Sequence, residues 1–153
     1  MGKDTASGLA GTYVGRLVEH EQALAELYAA FAEALPSMRR FWRRLSVEEI
    51  RHSSAVIDLQ NRHHAGEVHF EPRDFDLGDI VESLDYIDNL LGSTEQNGIE
   101  RRSALRAAAV LEQGAIEHRF FEVFEGDSDE IRELFETLRR LTEKHLKAIR
   151  RKT

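Results

Sequence analysis

Cysteine is absent from the 153 residues. That removes disulfides, Cys-ligated zinc, iron–sulfur clusters, thiolate catalysis and c-type haem attachment together, and it fits a reducing compartment. Proline is nearly absent, with Pro36 and Pro72 only, so few positions force a helix to stop. A surplus of positive charge is missing too: 21 Lys and Arg stand against 28 Asp and Glu, a formal net charge of −7. Contact with nucleic acid or an anionic membrane needs the opposite balance, so neither is expected as a partner. No apolar run approaches the roughly 20 residues that span a bilayer. No apolar signal core follows Met1, so the expected location is cytoplasmic. There is no phosphate-binding G-x-x-x-x-G-K loop.

What is present is an ordinary globular balance, 41% hydrophobic and 32% charged, in a length that suits a single domain over residues 1–153. Apolar residues recur at the 3.6-residue helical period in four long segments. The first, from about Ser7 to Leu35, carries Val14, Leu17, Val18, Leu24, Ala25, Tyr28, Phe31, Ala32 and Leu35, and Pro36 ends it. The second starts at Ser37 as N-cap and runs to about Arg62, with Met38, Phe41, Trp42, Leu45, Val56 and Leu59. The third, from about Asn97 to Phe124, carries Leu105, Ala108, Ala109, Ala115, Ile116, Phe120 and Val123. The fourth follows a turn at Gly126-Asp127-Ser128 and runs from about Asp129 to Arg150 with Ile131, Leu134, Phe135, Leu138, Leu141 and Ile149. Asp127 and Glu130 have capping-box spacing at its start, and Lys144, Lys147, Arg150 and Arg151 lie at its end. Between the second and third lies a loop, His63 to Asp76, then a short helix from Leu77 to Leu91 bounded by Gly92-Ser93-Thr94. Short, long and short connections predict an all-α four-helix bundle with one crossover, the short helix lying within it.

The stripes are interrupted by ionisable residues. Glu21 falls on the apolar side of the first segment, Glu49 and His52 on that of the second, Glu112 on the third and His145 on the fourth. Residues three or four apart share a helix face, so Glu49-x-x-His52 is a two-donor unit aimed inward. Burying unpaired carboxylates costs several kcal/mol each, whereas a cation among them gives every lone pair a partner. Carboxylate oxygen with imidazole nitrogen suits iron, manganese or zinc. An internal echo supports two half-sites. Leu45 to His52 aligns with Leu138 to His145, leucine on leucine and histidine on histidine, while Glu49 meets Thr142. Tyr28 is a candidate hydrogen-bond donor to a ligand carboxylate from across the core, and Trp42 a candidate to close the core above the site.

This ordered set, Glu21 with Tyr28, Leu45-Ser46-Val47-Glu48-Glu49-Ile50-Arg51-His52, Glu112 and His145, resembles the ferritin-like superfamily and, within it, the rubrerythrin-like proteins. The resemblance implies a di-iron carboxylate site, held by Glu21, Glu49, His52, Glu112 and His145, that handles peroxide or oxygen or oxidises Fe(II). It also implies a homodimer. Two departures carry weight. Rubrerythrins proper have an iron–four-cysteine domain that feeds the site; without cysteine, the electron donor must be another protein. The fourth-helix Glu of the family is Thr142 here, and Glu143 lies about 200° round the helix from His145 and should face away. Glu117 is the substitute acid if the third helix is distorted. The rival readings are a non-enzymatic bundle with a degenerate site, serving metal binding or assembly, and a signalling bundle with no metal.

Other clusters receive blander readings. His63, His64, Glu67 and His69 are expected in a solvated loop, and Arg39, Arg40, Arg43 and Arg44 to pair with acids of neighbouring helices. His20 and His118 are assigned no role.

Overall fold

The computed structural model describes the backbone of residues 2–67, 70–72, 77–118, 120, 124–126 and 129–153, and the side chains of 12–67, 77–118, 120 and 129–153. The chain is all-α: α1 (Gly2–Ala34), α2 (Arg39–His64), α3 (Leu77–Asn97), α4 (Arg101–Glu117) and α5 (Asp129–Lys152). A two-stranded antiparallel ribbon accompanies them, β1 (Phe70–Pro72) on β2 (Phe124–Gly126), with Glu71 opposite Glu125. Helix α1 packs along both α2 and α3; α5 packs along α4 and touches α2.

The helical stripes do what their period dictates. The apolar residues placed on the first and second stripes between Val14 and Leu59 are buried, Leu17, Tyr28, Phe31, Trp42 and Val56 completely or nearly so, except Leu35, which is only partly buried just past the end of α1. The core falls into two apolar halves. One gathers Tyr13 to Val18, Val56, Leu59, Ile80, Ala115, Phe120 and Ile131 to Leu138. The other gathers Leu24 to Ala32, Met38 to Leu45, Ile87, Ala104 to Leu111 and Ile149. Each of α1, α2, α4 and α5 contributes to both halves, and between its two contributions stands a buried ionisable or hydroxyl residue. The polar layer is thus the midplane of the protein.

Chain order through the halves gives direction. Helices α1, α3 and α5 run from the first half to the second, whereas α2 and α4 run back. So α1 is antiparallel to α2, and α4 to α5, while α3 returns the chain from the end of α2 to the start of α4. Short pins fix these neighbours: Ser46 Oγ donates to the Ala25 carbonyl (2.7 Å) and Tyr13 Oη to the Phe120 carbonyl (3.1 Å).

Several boundaries differ from the sequence expectation. Ser37 does not cap α2: Pro36–Met38 form a 3₁₀ turn and Met38 is the cap residue, with no side-chain bond. A proline at the start of the turn tightens it and leaves no donor there to cap. Helix α3 runs through Gly92-Ser93-Thr94 to Asn97. Gly92 faces open space and is tolerated in the helix, whereas Gly98, at φ +71°, supplies the left-handed stop. Helix α4 ends at Glu117, short of Phe124, because the chain turns to bury Phe120, whose N–H bonds back to the Ala115 carbonyl. The expected loop from His63 to Asp76 contains the end of α2 and strand β1. Asp127, Ser128, His69 and Val123 lie outside the residues whose side chains are described, so the expectations placed on them do too.

Candidate metal centre

The midplane collects the five residues that interrupt the stripes. Glu21 comes from α1, Glu49 and His52 from successive turns of α2, Glu112 from α4 and His145 from α5. All are at least 96% buried. They form two triads: one ligand atom from each of Glu21, Glu49 and His52 lie within 4.8 Å of one another, and so do those of Glu49, Glu112 and His145. Both buried groups are able to hold a metal ion.

Glu49 belongs to both triads and gives each a different oxygen. Its Oε1 stands 2.9 Å from His145 Nδ1, and its Oε2 stands 3.3 Å from His52 Nδ1. His52 Nδ1 is also 3.5 Å from Glu21 Oε2, and His145 Nδ1 is 3.5 Å from Glu112 Oε1. The helical period explains the convergence. Glu49 and His52 are one turn apart on the buried face of α2, and each other helix brings its polar residue to the same level.

The electrostatics of the centre follow from crowding three carboxylates and two imidazoles away from water. Burial by itself would raise the Glu21 carboxyl, but Glu49, His20 and His52 beside it hold it below the ordinary range. Glu49 goes the other way, pushed well above its ordinary value by burial and then by the charges of Glu21 and Glu112. Two interacting carboxyls whose affinities split in this way share one proton. Burial would depress the imidazoles, yet Glu21 and Glu49 raise His52 to about 10, and Glu112 and Glu49 raise His145 to about 11. Protons hold the charge balance that a cation otherwise would.

Protons do not satisfy every atom. Glu49 Oε2 and His52 Nδ1 are buried without a hydrogen-bond partner among the described residues. A buried orphan acceptor facing a buried orphan ring nitrogen is uncommon in folded proteins. A metal ion between them partners both, so the residues present fit such an ion.

The surroundings are specific. Tyr28 Oη donates to Glu112 Oε1 (2.8 Å) from across the core, as its position predicts. Its ring packs on Trp42, with centroids 5.5 Å apart, and Phe31 and Phe41 complete an aromatic cluster around Trp42 on that side. Thr142 occupies the echo position of Glu49 but is turned back on its own helix, donating to the Leu138 carbonyl (2.9 Å). It brings no carboxylate. Neither does Glu117, which is exposed and accepts from Gln113, nor Glu143, which belongs to neither triad.

Two residues that sequence reasoning passed over stand at the centre. Glu48 Oε2 meets His145 Nε2 (2.5 Å), opposite the nitrogen that faces Glu49 and Glu112. It follows Leu45 at helical spacing, yet a charged residue beside another charged residue reads as solvated. His20 is completely buried. Its Nε2 meets Ser83 Oγ of α3 (2.8 Å), its ring packs edge-on against Phe120, and its Nδ1 stands 3.9 Å from Glu21 Oε1. The signal was there, because His20 lies three residues after Leu17 and four before Leu24. The remaining clusters are peripheral. His118 pairs with Asp79 at the surface, Arg43 with Glu33, and His64 and Glu67 are exposed.

No protein-family model matches this chain, and comparison with curated proteins and with solved structures gives no match. Among the described residues, no helix is long and apolar enough to cross a membrane.

Proposed function

We propose that this protein is a rubrerythrin-like di-metal carboxylate protein, a ferritin-like four-helix bundle of α1, α2, α4 and α5 with α3 as the crossover. We propose further that it is an oxidoreductase acting on peroxide or oxygen, or oxidising Fe(II). The observation that supports it is Glu49, which offers one oxygen to each of two buried triads, as a carboxylate bridging two cations does. Iron is the metal of choice for redox work; manganese and zinc suit the same donors. A bound redox metal supplies the electrons that peroxide or oxygen accepts.

The chain's own residues do the rest in this reading. Tyr28 holds Glu112, and Glu48 fixes the ring of His145 so that Nδ1 points inward. The apolar halves above and below exclude water from the donors. The absence of cysteine leaves electron delivery to a separate donor protein, and the reading includes a homodimer.

A second reading has its own support. Thr142 in place of a carboxylate favours a bundle whose degenerate site serves metal binding or assembly without turnover. One experiment separates the two. Protein is loaded anaerobically with Fe(II), the bound iron is counted, and peroxide or oxygen is then admitted while iron oxidation is followed by near-ultraviolet absorbance. Two irons per chain, oxidised within seconds and reducible again, support the enzyme. Bound iron that oxidises no faster than iron in buffer supports the second reading. No uptake removes the metal from both.

A further inference from the structure

We infer that the two cation positions are unequal and fill in order: the α4–α5 position (Glu49, Glu112, His145) first, the α1–α2 position (Glu21, Glu49, His52) second. The inference rests on the metal-binding reading above and concerns this chain's departures from symmetry.

Glu49 serves both positions, so the difference lies in what stands behind the other ligands. At the α4–α5 position each is braced. Glu48 holds His145 by Nε2, and Tyr28 holds Glu112 by Oε1. At the α1–α2 position, no hydrogen bond to His52 Nε2 is seen among the described residues. Among the described residues, Glu21 has behind it only His20 Nδ1 at 3.9 Å, beyond hydrogen-bond reach. The internal echo shows where the asymmetry comes from. Glu48 and Glu49 of α2 correspond to Leu141 and Thr142 of α5. Helix α2 therefore sends one acid to orient the histidine of α5 and another to bridge, and α5 returns neither.

An outer partner fixes ring orientation and raises the basicity of the ligating nitrogen, and its loss typically lowers metal affinity by about 10–100-fold. Both histidines face carboxylates through Nδ1 and must shed a proton there to ligate, so that cost falls on both positions. The bracing does not. The protein should therefore hold one resident ion in the α4–α5 position and a second, exchangeable ion between α1 and α2.

The test is an anaerobic titration of the metal-free, full-length protein with Co(II), followed by calorimetry and visible absorbance. Two steps at least about tenfold apart are expected. Glu48→Gln should weaken the tighter step by about 10–100-fold and leave the weaker one within about twofold. Glu21→Gln should abolish the weaker step and spare the tighter. Far-ultraviolet circular dichroism confirms that each variant is folded. One step taking up two equivalent ions overturns the inference with wild-type protein alone. So does a tighter step that Glu48→Gln leaves unmoved, or that Glu21→Gln abolishes. Absence of any Co(II) uptake would instead remove the metal centre on which the inference rests.

Discussion

The imidazoles of His52 and His145 lie almost parallel, 15° between planes and 5.3 Å between centroids. They come from helices that supply opposite sides of the centre, and Glu49 meets both through separate oxygens. Both rings are held against carboxylates that raise their proton affinity, so protons balance the charge of the centre.

Glu49→Gln preserves the shape and removes the shared charge. The expected outcome is loss of both cation positions with a smaller change in the metal-free melting temperature, because burial and the charges of Glu21 and Glu112 already push the Glu49 carboxyl toward its neutral form. Ligand binding stabilises by about 2.7 kcal/mol at a free concentration 100-fold above the dissociation constant. Wild-type protein should therefore melt higher when Fe(II) or Co(II) is added anaerobically, and the variant should not. Differential scanning fluorimetry with and without metal checks it.

The pH dependence has a definite sign. His52 and His145 have folded-state values of about 10 and about 11, above the ordinary 6.5. Their contribution is complete below pH 6.5 and is lost as pH rises through 10 to 11. Glu21, held below its ordinary value, contributes above pH 4.5 and loses that contribution in stronger acid. Metal-free protein should therefore lose melting temperature steadily from pH 7 to 11. Metal affinity should move oppositely and rise with pH, because the ligating nitrogens must be deprotonated. Melting curves at each pH, with and without Co(II), test both signs.

Tyr28→Phe deletes one hydroxyl and keeps the ring against Trp42. A hydrogen bond to a buried carboxylate contributes about 1.5–3 kcal/mol, so metal-free protein should be destabilised by about 2 kcal/mol in urea unfolding. Metal-loaded protein should lose at least as much, since the same hydroxyl braces Glu112 at the α4–α5 position.

Thr142→Glu puts a fourth carboxylate at a fully enclosed position. An uncompensated buried charge costs about 3–5 kcal/mol. The variant should melt well below wild type without metal and recover most of the difference with it. Its affinity for the second cation should rise, as isothermal titration would show.

Much of this was legible in the chain. The stripes named the core residues of α1 and α2 because burial follows the helical period, and the five interruptions named the centre because no folded core tolerates such residues without a partner. Boundaries were less legible. Gly92 reads as a break and is not one, since a helix tolerates a glycine facing solvent, while Gly98 stops α3 through a backbone angle that residue type only permits. His20 was passed over because an imidazole on an apolar stripe is ambiguous until its partner, Ser83 on another helix, is known.

Local pattern, set by the 3.6-residue period and by the cost of burying charge, determined which residues would be helical and which would have to meet. The tertiary structure alone decided how they meet. It set which oxygen of Glu49 faces which histidine, placed Glu48 behind His145 with nothing equivalent behind His52 among the described residues, and turned Thr142 back on its own helix. Those relationships depend on the axial level and rotation of helices distant in the chain. Packing between the two apolar halves fixes these, and no local periodicity encodes them.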